Sequence, residues 1–240
     1  MEEKLIRLNK KISSAGYCSR READRLIEQG RVTVDGTVAV PGMKVTPSQL
    51  ICLDGKPLIS EQKERIVAVH KPRGVVCTTD RRWGDVLLED LVPVPERLFY
   101  MGRLDKDSEG LILMTNQGDL ADAVMRARNA HEKEYIVWTE KPVSAGFLEK
   151  MEKGILLDGE KYATRPCRAW KTGERQFHIV LTQGMNRQIR RMCESFGNSV
   201  VRLKRIRIMH IRLGELEPGA YRELTQQEKE QLQSVREEKK

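Results

Sequence analysis

No stretch of this chain approaches the roughly 18 consecutive apolar residues of a membrane-spanning helix, and the opening MEEKLIRLNKK has no apolar core of the kind a secretory signal carries. Neither a membrane protein nor an exported one is expected. Metal and redox spacings are missing as well. The five cysteines, Cys18, Cys52, Cys77, Cys167 and Cys193, are odd in number and contain no CxxC pair, so they read as reduced packing residues of a cytoplasmic protein. His70, His131, His178 and His210 share no helical or strand spacing with acids or thiols, which leaves no candidate metal site. Internal repeats and low-complexity tracts are also absent. What the chain holds in excess is positive charge: 43 Lys and Arg against 35 Asp and Glu, a formal +8, with 39% hydrophobic residues. This is the composition of a folded basic protein. A polyanion is its expected partner, because each phosphate contact releases condensed counterions, for RNA and DNA alike.

At 240 residues the chain can bury a sizeable core, and two domains are the starting expectation. The first spans residues 1–60. There Leu5, Leu8, Ile12 and Ala15 recur at a helical period that stops at Gly16. Ser19 followed by Glu22 reads as a capping box, opening a second helix that carries Leu26 and Ile27 to Gly30. Residues 31–40 alternate around an Asp35-Gly36 turn, and 51–58 add a short strand and turn. Polar residues 60–65 read as a linker. In the second domain, residues 61–240, strands are expected at 66–69, 75–78, 111–115, 135–139, 176–182 and 205–213. Helices are expected at 119–127, 144–152, 187–196 and from Thr225 into a frayed C-terminus. Regular strand-helix alternation is missing, which favours an α+β domain with a mainly antiparallel sheet.

Three segments concentrate groups able to do chemistry. Residues 102–110 set three carboxylates (Asp105, Asp107, Glu109) and two cations (Arg103, Lys106) between two glycines, directly before the apolar run 111–115. Asp107, Ser108 and Glu109 are expected in a solvated turn, whereas Asp105 follows Leu104, whose burial would pin the backbone against the core. A catalytic carboxylate and a plain turn cap both fit Asp105. Residues 133–137 open a strand whose alternation sends Tyr135 and Val137 to one face, so Tyr135 is either core or a stacking platform for a nucleobase. Residues 182–193 run from a strand through a glycine turn into a helix with Asn186 as the expected cap. Arg187, Arg190 and Arg191 in its first turns oppose the helix dipole and call for phosphates or a buried carboxylate as partners. Two further groups of cations stand out. Arg205 and Arg207, on one face by alternation, form a basic stripe with Arg202, Lys204 and Arg212 and almost no acids nearby. Lys10, Lys11, Arg20, Arg21 and Arg25 crowd the N-terminal helices. Both groups suit an RNA backbone, and both also fit an ordinary solvated face.

In that order, GRLDKDSEGLILMTNQGDLA, HEKEYIV and QGMNRQIRRMCESFG resemble the motifs of the RsuA-type ribosomal RNA pseudouridine synthases. LNKKISSAGYCSRREADRLIEQGRVTVDG is similar to the S4 RNA-binding domain that this family carries. The resemblance covers nearly the whole chain. CSRREADRLIEQG, GRLDKDSEGLI and RLKRIRIM together look closest to the RluF-like members, which modify large-subunit rRNA. Ser108 departs from the threonine of many relatives but keeps the hydroxyl. The resemblance implies an S4 domain at 1–60 and a pseudouridine synthase fold at 61–240. It also implies conversion of a uridine of ribosomal RNA to pseudouridine by a cytoplasmic monomer, with no metal or cofactor. It gives Asp105 the catalytic role, Tyr135 stacking on the target base, Arg190 an ion pair with Asp105, and Arg103 a part in holding the flipped nucleotide. RNA contacts are expected from Lys10, Lys11, Arg20, Arg21, Arg25, Arg187, Arg191, Arg205 and Arg207. The rival expectations are a non-catalytic RNA-binding or ribosome-assembly protein and a synthase for small-subunit rRNA. A glycosidase fits worse, since it usually pairs two positioned carboxylates.

Overall fold

The computed structural model describes residues 5–59, 63–125 and 130–237. Contacts divide the chain into two compact units, one running to Arg65 with 95–97 and 116–118, the other holding the remainder from Ile66. The expected boundary between residues 60 and 61 lies outside the described residues.

The first unit opens with β1 (Ile6–Arg7), α1 (Leu8–Ser14) and α2 (Arg20–Glu28). Helix α1 starts later than its apolar period suggests, because Ile6 and Arg7 are taken up in pairing with Val45 and Lys44. Helix α2 begins where the sequence places it: the Ser19 hydroxyl accepts from the Glu22 amide at 3.0 Å. Strands β2 (Val32–Val34), β3 (Thr37–Val38), β4 (Lys44–Val45), β5 (Ile51–Leu53) and β6 (Lys56–Pro57) follow, and four of them form a sheet in the order β3-β2-β5-β6. Leu8, Ile12, Ala23, Ile27, Val32 and Ile51 meet in its core.

The second unit contains β7 (Ile66–Lys71), β8 (Phe99–Met101), β9 (Glu109–Thr115), α3 (Gly118–Met125), β10 (Lys133–Thr139) and α4 (Ala145–Glu152). These are followed by β11 (Arg168–Gly173), β12 (Gln176–Leu181), α5 (Gln188–Glu194), β13 (Val200–Ile208), β14 (Ile211–Arg212), β15 (Tyr221–Glu223) and α6 (Gln226–Glu237). Among the described residues nine strands form one sheet, β11-β12-β10-β13-β9-β7-β15, with β14 beside β13 and β8 beside β9. All pairs are antiparallel except β13 with β9, where Lys204 and Arg205 run parallel to Glu109 and Gly110. The expected α+β architecture with a mainly antiparallel sheet is what forms.

Strands β7 and β9 serve both faces of the sheet. Val67, Val69, Ile112 and Met114 pack with Leu148 and Met151 of α4 and Ile189 and Met192 of α5. Ile66, Ala68, Leu111 and Leu113 pack with Leu120 and Val124 of α3 and Leu232 of α6. This two-sided burial explains why their sequences read as continuous apolar runs rather than alternating ones.

Two expected strands differ. Residues 75–78 form no strand and contribute only an isolated bridge from Val76 to Leu87. The segment 205–213 is a hairpin, broken where Met209 takes φ +53°. The expected helix at 119–127 reaches Met125, and its last two residues lie outside the described ones.

Candidate active site

Segment 102–110, the loop after β8 with the first two residues of β9, runs along the wall of a cleft of about 510 Å³, lined by Arg103, Asp105, Tyr135, Met185, Arg187 and Arg205 among others. Leu104 is buried and fixes the loop from beneath. Asp105 stands one residue further on with 36% of its side chain exposed, open to the cleft rather than sealed in the core.

The loop is gripped by three buried cations. Lys71, at the end of β7, is fully buried, and its Nζ donates to the carbonyls of Ser108 (2.6 Å), Pro72 (3.0 Å) and Lys106 (3.4 Å). Burial pushes its pKa below the ordinary lysine value. Arg190, on α5, donates to the Val200 carbonyl at 2.9 Å and reaches the Asp107 carboxylate at 3.0 Å and the Ser108 hydroxyl at 3.4 Å. Arg205, on β13 and 2% exposed, donates to the Leu111 carbonyl at 2.7 Å and lies 5.9 Å from the centre of the Tyr135 ring. Its Nη2 is buried with no hydrogen-bond partner among the described residues.

Gly110 makes this packing possible. Its φ is +112°, and a Cβ there would stand 2.2 Å from the Arg205 carbonyl oxygen. Only glycine lets β13 come this close behind the loop.

Two family models match: RNA pseudouridylate synthase over residues 65–195 and the S4 domain over residues 6–51. The chain belongs to the RNA pseudouridylate synthase family. It is 45% identical over 225 residues to the dual-specificity RNA pseudouridine synthase RluF of Escherichia coli strain K12, covering 93% of this chain and 77% of that protein. It is 34% identical to the ribosomal large subunit pseudouridine synthase B of Bacillus subtilis strain 168, covering 95% and 96% of the two chains. A pseudouridylate synthase crystal structure superposes with a TM-score of 0.71 at 30% identity, over 95% of this chain and 99% of that one.

In this pseudouridine synthase the expected site residues do not all stand where the sequence suggested. Asp105, Arg103 and Tyr135 share the cleft. Tyr135 is also 8% exposed and part of the core, so the two readings of it describe one position. The Arg190 guanidinium pairs with Asp107 rather than with Asp105. The cation nearest Asp105 is Arg187, whose Nη1 lies 4.0 Å from Asp105 and 3.5 Å from Asp107. Arg187 is not inside the helix: it precedes α5 at φ +47° and takes the capping position expected of Asn186, without a side-chain cap. Ser108 and Glu109, expected in solvent, are buried, with Glu109 held by Arg202 at 2.6 Å.

The basic stripe also dissolves. Tyr135 pairs with Arg205 but Glu134 pairs with Arg207, which leaves Ile206 as an extra residue in β13. Neighbours on β10 face opposite ways, so this bulge puts Arg205 in the cleft wall and Arg207 on the other face. There Arg207 is bound by Glu134 (2.8 Å) and Glu132 (3.0 Å). Arg191 is held by Glu160 at 2.8 Å. In the first unit, Lys11 donates to the Thr46 and Pro47 carbonyls at 3.0 and 2.6 Å and so staples its own fold. Lys10 is half-buried, while Arg20, Arg21 and Arg25 are exposed on α2, the last touching Glu22 at 3.3 Å.

Sequence reasoning passed over Lys71 and Lys133. A lysine closing the apolar run IVAVHK was the available signal for the first, since a charge there must find internal acceptors. Lys133 lines the cleft, and burial with the nearby Arg205 lowers its pKa to about 8.

Proposed function

We propose that this enzyme isomerises a specific uridine of ribosomal RNA to pseudouridine, with large-subunit rRNA as substrate, acting as a cytoplasmic monomer with Asp105 as its catalytic carboxylate. The observation that carries the reading is that Asp105, on a loop gripped by buried cations, is the one carboxylate among the described residues that line a cleft of about 510 Å³, which Tyr135 also lines. The relatives named above act on RNA by name, and one of them on the large ribosomal subunit.

The reaction breaks the N1–C1′ bond of uridine, turns the base and joins C5 to C1′; C5 gives up a proton and N1 gains one. Atoms and charge balance without water or a redox partner. Attack on C1′, attack on C6 and proton abstraction all require one carboxylate in bonding reach of the target nucleotide. To reach Asp105 the nucleotide must leave its stack. Tyr135, which lines the cleft with the Arg205 guanidinium 5.9 Å from its ring centre, then meets the extruded base. Arg103, exposed on the loop, and Arg187 hold the flanking phosphate or ribose.

The test is release of tritium from C5 of uridine, using transcripts of both ribosomal RNAs, followed by mapping of pseudouridine through carbodiimide adducts and primer extension. Asp105→Asn keeps the volume and loses the charge. It should abolish release while RNA affinity stays within a few-fold of wild type. Wild-type turnover in that variant refutes the assignment of Asp105, and pseudouridine confined to the small-subunit transcript refutes the substrate.

A further inference from the structure

Beside the cleft, residues 77–85 form a loop whose ends are sewn together: the Val76 amide donates to Val86 at 3.0 Å and the Leu88 amide to Val76 at 2.9 Å. Its root, Val76 and Cys77, is part of the cleft wall. Its far end is a turn in which the Gly84 amide donates to the Arg81 carbonyl at 3.3 Å, with Gly84 at φ +67° and Trp83 just before it.

The arginines of this turn are matched by carboxylates in the loop and just after it. Arg82 binds Asp80, with Nε 2.9 Å from Oδ1. Arg81 binds Glu89 and Asp90 at 2.9 and 2.7 Å. The Asp80 amide donates to the Thr78 hydroxyl at 3.1 Å, and the Tyr100 hydroxyl donates to the Thr78 carbonyl at 3.2 Å. Trp83 is left outside at 79% exposure, the highest among the large apolar side chains of the described residues. An indole of this size gains far more from cover than from water, and the bracing keeps the turn from folding over it. The loop is also coupled to the catalytic one, since Asp85 meets Lys106, the residue after Asp105, at 2.6 Å.

We propose that Trp83 stacks on a nucleobase of the substrate RNA next to the target uridine, as a second aromatic contact outside the cleft. The inference rests on the function proposed above. Pulling a uridine into the cleft leaves its neighbours without one stacking partner, and an aromatic face accepts any base. Trp83 is tied to the same framework as Asp105 through the Asp85–Lys106 pair and the cleft-lining root of its loop, so its ring is in position to meet that need. Because the surrounding arginines are already matched by Asp80, Glu89 and Asp90, the contact draws on stacking and not on phosphate attraction.

The probe is a large-subunit rRNA transcript, bound to full-length protein carrying Asp105→Asn so that no turnover intervenes. Trp83→Ala should weaken binding by about 5- to 150-fold while leaving the slope of log affinity against log salt unchanged. Trp83→Phe should restore most of the affinity and Trp83→Leu should not. With Asp105 intact, the RNA concentration that half-saturates the single-turnover rate should rise in Trp83→Ala by about the same factor as the dissociation constant. Equal affinity of Trp83→Ala and its parent overturns the proposal, and so does full rescue by leucine, which would mark an apolar contact without stacking. A protein that binds this RNA but releases no C5 tritium contradicts the proposed function instead, and the binding comparison still reads.

Discussion

Cations play opposite parts in the two units. Around loop 102–110 they are buried: Lys71, Arg190 and Arg205 give their donors to the chain's own carbonyls and carboxylates. On α2 of the first unit Arg20, Arg21 and Arg25 lie on the surface, and the ion pair of Arg25 with Glu22 leaves 72% of the arginine side chain exposed. Such a pair contributes little and yields readily to a phosphate. A buried guanidinium cannot be released in the same way, because its withdrawal leaves its partners unmatched. On the function proposed above, positive charge then has two uses: the interior set shapes the loop that bears Asp105, and the exterior set is free to meet RNA phosphates.

The largest test of that division is Arg190→Ala. If Arg190 shapes the loop through Asp107, single-turnover rate should fall by about 10²-fold, the scale of a small misplacement of a catalytic group. Stability to urea should drop by about 1–3 kcal/mol, because Asp107 is 41% exposed and water can replace part of the pair. Asp107→Asn should reproduce most of the rate loss. Wild-type activity in Asp107→Asn would break the comparison and return Arg190 to direct service of Asp105.

A smaller effect is expected from replacing Arg20, Arg21 and Arg25 together with glutamine. The slope of log affinity against log salt should become shallower by about 0.7–0.9 for each phosphate no longer neutralised, with no change in rate at saturating RNA. An unchanged slope would show that these exposed cations do not meet phosphates.

The smallest effect concerns Lys133, which belongs to neither set fully. With its pKa lowered to about 8, it is charged below that pH and neutral above it, so its help to RNA binding is present at pH 7 and lost by pH 9. Affinity should fall about 2- to 5-fold across that range, as when a single cation facing a phosphate is neutralised, and Lys133→Met should flatten the change. Folding moves the other way. Between about 8 and 10.5 the unfolded chain holds this proton more tightly, so the contribution to stability rises with pH.

Much of this was legible in the residues. Ser19 and Glu22 announced α2, the apolar runs announced β7 and β9, and Leu104 before Asp105 announced a loop pinned to the core. What the sequence hid are events between distant strands. Alternation predicts one face for Arg205 and Arg207, and only the pairing with β10 reveals the extra residue at Ile206. Local charge density likewise counted Arg191, Arg207 and Lys11 as free, although their partners Glu160, Glu132 and Thr46 lie far along the chain. The pairing of Arg190 with Asp107 instead of Asp105 depends on which of two carboxylates the loop turns toward α5, and spacing carries no information on that.

The one parallel pairing among the described strands of the sheet also sets an order of events in synthesis. Arg205 grips the carbonyl of Leu111 across 94 residues of chain, and Gly110 lies against the backbone that follows Lys204. At about 5–20 residues per second, the loop bearing Asp105 leaves the ribosome roughly 5–20 seconds before the strand that completes its wall. The S4 domain, matched over residues 6–51, has left the ribosome earlier still. The nascent protein is thus equipped to touch RNA before it is equipped to change it.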